Sequence, residues 1–172
     1  MNVVVCDSGP LTHLWQIRQW AAFAVFAEIH LADQVVAETH NHVPLDEFTA
    51  ITTCRLLIHS VDQLESMRAK DSLDGNIRLQ DADLATFVLA QRLAPSTVLT
   101  DDLALRRVVE SAGLVAMGSV GLLLRAFTAN LLSADELKQA FDALFVHSSL
   151  YLSPVFREFV QREVEKALQG RQ

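Results

Sequence analysis

The chain has 172 residues, 51% of them hydrophobic, and a formal net charge of −7. That length fits one domain, and that apolar content can fill a core, which excludes intrinsic disorder. No stretch reaches the roughly 18 apolar residues of a membrane span, and the N-terminus lacks a basic segment followed by a long apolar one, so neither a transmembrane helix nor a secretory signal is expected and the cytoplasm is the expected location.

Residues 2–6, Asn-Val-Val-Val-Cys, read as a buried strand rich in β-branched residues. Asp7-Ser8-Gly9-Pro10 ends it, with Ser8 as helix cap and Pro10 in the first turn. Leu11, Leu14 and Trp15 give that helix an apolar face. A second helix is expected over 18–27, a short strand over 29–32, and then a helix capped by Asp33 that carries Val35, Val36 and Glu38. Residues 44–78 carry weaker signals: a helix over 46–53, a strand over 56–61, a surface helix over 63–70 and a loop over 71–76. Residues 81–93 form a nearly all-round apolar helix, which implies burial. A strand over 97–100, a helix over 103–112 stopped by Gly113, a strand over 114–117 and a helix over 121–132 follow. Ser133 with Glu136 three residues on is a capping box for a helix to about residue 145, and a last helix opens near Ser153-Pro154 and stops before Gly170. Cys6 and Cys54 lie in apolar context without metal-type spacing and read as reduced core thiols.

Strands alternating with helices predict a mainly parallel sheet flanked by helices, in which ligand groups gather beyond the carboxyl ends of the strands. Two acids follow predicted strands as that rule asks, and two more stand on helices. Asp7 follows the first strand, Glu38 follows Val35-Val36-Ala37, Asp83 lies at the start of the 81–93 helix, and Asp102 follows Val98-Leu99-Thr100-Asp101. Each has an ordinary reading. Asp-Ser-Gly-Pro is turn chemistry, either Asp81 or Asp83 can cap its helix, either Asp101 or Asp102 can cap the next one, and Glu38 can be a solvated charge. Together they make an oxygen-rich set suited to Mg²⁺ or Mn²⁺. They also account for four of the seven excess negative charges, which otherwise count against a protein that grips phosphate. His40 and His42 flank Asn41 near Glu38, but no third zinc ligand is close in sequence, and His13, His30, His59 and His147 read as structural.

The ordered blocks resemble a PIN domain, in particular the small prokaryotic branch related to VapC-type toxins. Val5-Cys6-Asp7-Ser8-Gly9-Pro10-Leu11 is similar to the family's opening strand, Asp, Ser or Thr, and Leu. Val35-Val36-Ala37-Glu38 resembles its Val-x-x-Glu, and Asp83 followed by Leu84-Ala85-Thr86-Phe87-Val88-Leu89-Ala90 resembles its acid and Ala-rich helix. Asp101-Asp102, Arg106, Gly113-Leu114 and Gly118-Ser119-Val120-Gly121-Leu122 resemble the series that closes the motif. Ala82-Asp83 stands where Gly-Glu is frequent, Ala32 where Pro is, and Ser119 where Thr is.

The resemblance implies a Rossmann-like three-layer domain over 1–172, with a core of about 1–130 and a helical extension of about 131–170. It implies a metal-dependent endoribonuclease, often the toxin of a toxin–antitoxin pair and commonly a homodimer, that leaves a 5′-phosphate and a 3′-hydroxyl. Asp7, Glu38, Asp83 and Asp102 would hold one or two Mg²⁺ or Mn²⁺ ions, Ser8, Thr100 and Asp101 would support them, and Arg106 would meet phosphate, pair with Asp102 or simply lie on the helix surface. Apolar residues in the last helices, among them Tyr151, Phe156 and Phe159, leave room for a second copy or an antitoxin. The competing readings are a PIN-like binding or regulatory module with little catalysis and a phosphatase of another α/β type. Gly9 standing where a second Asp would be needed counts against the phosphatase.

Overall fold

The computed structural model describes residues 3–170; Asn2, assigned to the first strand by its sequence, lies outside them. Five strands form one sheet: β1 (Val4–Cys6), β2 (Glu28–Ala32), β3 (Arg55–His59), β4 (Thr97–Leu99) and β5 (Ala116–Met117). Their order is β3-β2-β1-β4-β5, and every pairing is parallel. Each crossover therefore carries helix: α1 (Ser8–Gln16), α2 (Asp33–Thr39), α3 (Phe48–Ile51), α4 (Gln63–Ser72), α5 (Asp81–Leu93) and α6 (Leu103–Ser111). The last strand leads into α7 (Ser119–Thr128). Two more, α8 (Ala134–His147) and α9 (Pro154–Gln169), follow the last strand and pack on α7. This is the expected three-layer α/β architecture.

Coverage on both faces explains why the central strands read as unbroken apolar runs. Val4, Val5, Cys6, Val98 and Leu99 are all 0% exposed. The chain reverses its direction of travel through the sheet between β1 and β4, which pair Cys6 with Leu99. The ends of those two strands thus flank the crevice where such sheets bind ligands. Cys6 and Cys54 are buried free thiols. Among the described residues no helix is long and apolar enough to cross a membrane.

Several local expectations change. Residues 18–27 do not form an α-helix. Arg18 turns left-handed at φ 58° and ends α1, and only a 3-10 segment, Trp20–Val25, follows. Long-range packing holds it, with the Trp20 and Phe23 rings set edge-on to Phe48 at 5.1 and 5.3 Å. The helix expected over 46–53 is a 3-10 turn, Leu45–Glu47, followed by the single turn of α3. The helix expected over 121–132 starts earlier, at Ser119, and stops at Thr128 because Asn130 adopts φ 62°. α4 runs on to Ser72, into the stretch expected as loop. Three caps also move. Asp7 rather than Ser8 precedes α1, Ala32 rather than Asp33 precedes α2, and Gln80 rather than Asp81 caps α5. Asp33 instead accepts from the Val61 N–H across to the segment after β3 (3.3 Å). The capping box at Ser133 stands as read, and the last helix opens where expected, with Ser153 as its cap.

Candidate functional site

β1 delivers Asp7 to the crevice. Its N–H donates to the Leu99 carbonyl (2.9 Å), extending the β1–β4 pairing by one residue, and its side chain is only 2% exposed. Oδ2 accepts from the Thr100 hydroxyl (3.1 Å), whereas Oδ1 is buried with no partner. Burial is the main force holding this carboxyl up at about 7, and the charge of Asp83 adds to it. Hydrogen bonds from the Ser8 backbone and Thr100 pull it down, and Glu38 raises it slightly.

Asp83 projects from the first turn of α5, where its Oδ2 accepts from the Gln80 N–H (2.8 Å). Burial pushes it to about 6 against that hydrogen bond, with Asp102 and Glu38 adding repulsion. Glu38 is exposed on the last turn of α2 and shares a cleft of about 540 Å³ with Gln34, Gln80 and Asp81. Asp102 is the exposed N-cap of α6, its Oδ1 accepting from the Leu105 N–H (2.7 Å).

Thr100 ties these acids together. Its hydroxyl accepts from the Asp102 N–H (3.1 Å) and donates to Asp7. Thr100→Val keeps the shape and removes both bonds, leaving Asp7 and a backbone N–H unpaired. A loss of about 1–3 kcal/mol in urea unfolding is expected, and an unchanged midpoint would show that the hydroxyl bridges nothing of consequence.

Asp101 faces the other way. Its carboxylate accepts from the Ser119 N–H (2.7 Å), the Ser119 hydroxyl and His13 Nδ1 (2.7 Å). It thereby pins the N-terminus of α7 and the middle of α1 to the end of β4. Close approach makes this possible. A Cβ on Gly118 would come within 2.7 Å of Asp101 Oδ1, and one on Gly9 within 3.3 Å of Asp101 Cβ. His13, which reads as structural in the sequence, holds Asp101, and the N–H at the Gly118-Ser119 helix start takes that carboxylate as its anion. Arg106 does not pair with Asp102. It donates to the Ala116 carbonyl (3.2 Å) and the Thr100 carbonyl (3.4 Å) and pairs with Glu110 rather than Asp102. His42 contacts Thr12 (3.4 Å), and His30 and His59 bond each other across β2 and β3 (2.8 Å).

Asp83 and Glu38 lie near enough to Asp7, and Asp102 and Glu38 near enough to Asp83, for their like charges to oppose ionisation, and Thr100 bonds Asp7 directly. A buried carboxylate oxygen without a partner and an all-oxygen donor set suit a hard divalent cation. Among the described residues, no three His, Cys, Asp or Glu side chains stand close enough to hold one ion together. The acids are neighbours in charge rather than a closed coordination shell.

A family model described as a PIN domain matches residues 3–166. No curated protein and no solved structure matches the chain. PIN domains are generally nucleases, usually depend on divalent metals, and so imply a nucleic-acid substrate. With nearly its whole length matched, the chain belongs to the PIN domain family.

Proposed function

We propose that this PIN domain is a metal-dependent endoribonuclease of the toxin-like kind, and that Asp7, Glu38, Asp83 and Asp102 hold its Mg²⁺ or Mn²⁺. One observation carries the reading: Asp7 is buried at the crevice with an unpartnered oxygen and is held near neutrality by burial and by acids of the same set. Such an arrangement is costly for a chain that binds nothing there. These acids would hold the divalent ion, which would supply hydroxide from water at neutral pH and counter-charge for the leaving oxygen. Thr100 orients Asp7 and also holds the turn that aims Asp102. The α5 first turn fixes Asp83 through Gln80.

The proposal covers one domain over 1–172, in which the helices of 131–170 serve partners. Tyr151, Val155 and Phe159 are 84%, 74% and 48% exposed there, which favours a homodimer or an antitoxin covering them. A second reading, a PIN-like module that binds nucleic acid with little turnover, is favoured by the absence, among the described residues, of any three converged ligands.

The test is incubation of mixed single-stranded RNA with the protein in Mn²⁺, in Mg²⁺ and in EDTA, beside Asp7→Asn. Cleavage is expected only with metal, and at least about a hundredfold slower in the variant. Undiminished cleavage by the variant would sink the assignment of Asp7. Metal binding by calorimetry with no cleavage would select the binding module.

A further inference from the structure

Toward the far end of α1 from Asp7 is a second cleft of about 630 Å³, lined by Trp15, Arg18, Trp20, His42, Glu47 and Ile51 among others. Its size suits a nucleotide. Trp20 is a fixed wall, 1% exposed, with its indole N–H on the Leu11 carbonyl (2.8 Å). Trp15 packs against it at 4.7 Å between ring centroids and is partly exposed. Arg18 is exposed, and its guanidinium makes no hydrogen bond or ion pair among the described residues.

The backbone at Arg18 sharpens the point. Its N–H donates to the Trp15 carbonyl, and the Gln19 N–H reaches back to Leu14 (2.7 Å), a helix stop that glycine fills best. Ala94 and Asn130 end α5 and α7 in the same left-handed conformation, so the conformation alone signals nothing. What sets Arg18 apart is an unpaired cation at a position where its side chain adds strain, beside an aromatic plate. A base stacked on an indole with a guanidinium near its phosphate is a recurrent way of holding single-stranded nucleic acid. Glu47 would repel phosphate but can accept from a base N–H, so the cleft is built for a base rather than for a backbone alone.

Two elements join this cleft to the acids. α1 starts directly after Asp7 and carries Trp15 about 12 Å further on. His42 lies four residues beyond Glu38 and touches Thr12 of α1. We propose that this cleft is a subsite in which the partly exposed Trp15, backed by Trp20, stacks one base of a single-stranded RNA that runs on along α1 to the acidic cluster, with Arg18 holding its phosphate. This inference deepens the ribonuclease reading and rests on it.

Trp15 and Trp20 are the chain's two tryptophans, so indole fluorescence reports on the cleft directly. The experiment titrates full-length protein in EDTA with a single-stranded oligoribonucleotide, following fluorescence and the anisotropy of a labelled strand. Saturable quenching is expected, with weaker quenching by a duplex of equal length. Trp15→Leu and Arg18→Gly should each bind about tenfold more weakly. Arg18→Gly should do so while melting no lower than the wild type, because glycine relieves the left-handed turn; a merely structural Arg18 would leave binding unchanged. Absent quenching, or equal affinity in both variants, overturns the proposal. Quenching by an apolar peptide but not by RNA also overturns it and assigns the cleft to a protein partner. Cleavage without quenching sinks the subsite and leaves the nuclease standing. Quenching without cleavage leaves the stacking site and sinks the nuclease.

Discussion

Asp7→Asn is expected to make the metal-free protein more stable at about pH 8 and to lie close to the wild type at about pH 4. The unfolded carboxyl gives up its proton near 3.8, whereas in the folded protein it keeps it to about 7. The folded state binds the extra proton between those values, so stability falls as pH rises through that window. Asp7's contribution is complete below the lower value and gone above the upper one. A displacement of that size corresponds to a ceiling of about 4 kcal/mol. An asparagine cannot ionise, so it escapes the loss, although its buried NH₂ must find an acceptor among the neighbouring carboxylates. A net gain of roughly 1–3 kcal/mol is the expected result. Asp83, raised to about 6, loses stability in the same direction and gives the variant a residual slope below that value. Thermal melts in EDTA across this range measure both. A variant less stable than the wild type at every pH would show that burial does not burden Asp7.

The same carboxyl links stability to metal. An ion bound by ionised Asp7 removes the cost of burying that charge, so Mn²⁺ should raise the melting temperature of the wild type at about pH 8. Asp7→Asn should gain little. The comparison needs no RNA and separates a metal site without turnover from no metal site at all.

Why some of this was visible in the sequence and some was not depends on distance along the chain. β1 and β4 were legible because a strand covered on both faces leaves an uninterrupted apolar run, and Asp7 and Asp102 stand where those runs end. The capping box at Ser133 and the helix start near Ser153 are local patterns and held. The 3-10 segment at 20–25 was not legible, because Trp20 and Phe23 are organised by Phe48, which the sequence places in a different element. Nor was the division of roles between Asp101 and Asp102. Either can cap α6 by local rules. The choice is made 18 residues away by Ser119 and 88 residues away by His13, both of which claim Asp101. The cap on α5 moved for a related reason: Asp83 reaches back to Gln80, so the acid bends toward the helix start it was expected to follow.

That division predicts a sharp contrast between adjacent residues. Asp101→Ala is expected to cost about 3–5 kcal/mol, among the largest single-site losses in this chain. Its carboxylate is 8% exposed and is the shared acceptor for the Ser119 N–H, the Ser119 hydroxyl and His13. Removing it strands three donors in a region where Gly9 and Gly118 have been kept bare to let the elements close, so water has little room to replace it. Asp102→Ala removes one cap bond to Leu105 from an exposed position, and about 1 kcal/mol is expected. Urea unfolding of the two variants at neutral pH reads the difference directly. Under the proposed function the order reverses for chemistry: Asp102→Ala should fold and lose metal-dependent cleavage, whereas folded Asp101→Ala, held at low temperature, should lose less. If Asp101→Ala unfolds no more easily than Asp102→Ala, the pinning of α1 and α7 to β4 is not what holds this edge of the sheet. If it alone abolishes cleavage while remaining folded, the acid that serves the metal is Asp101 and not its neighbour.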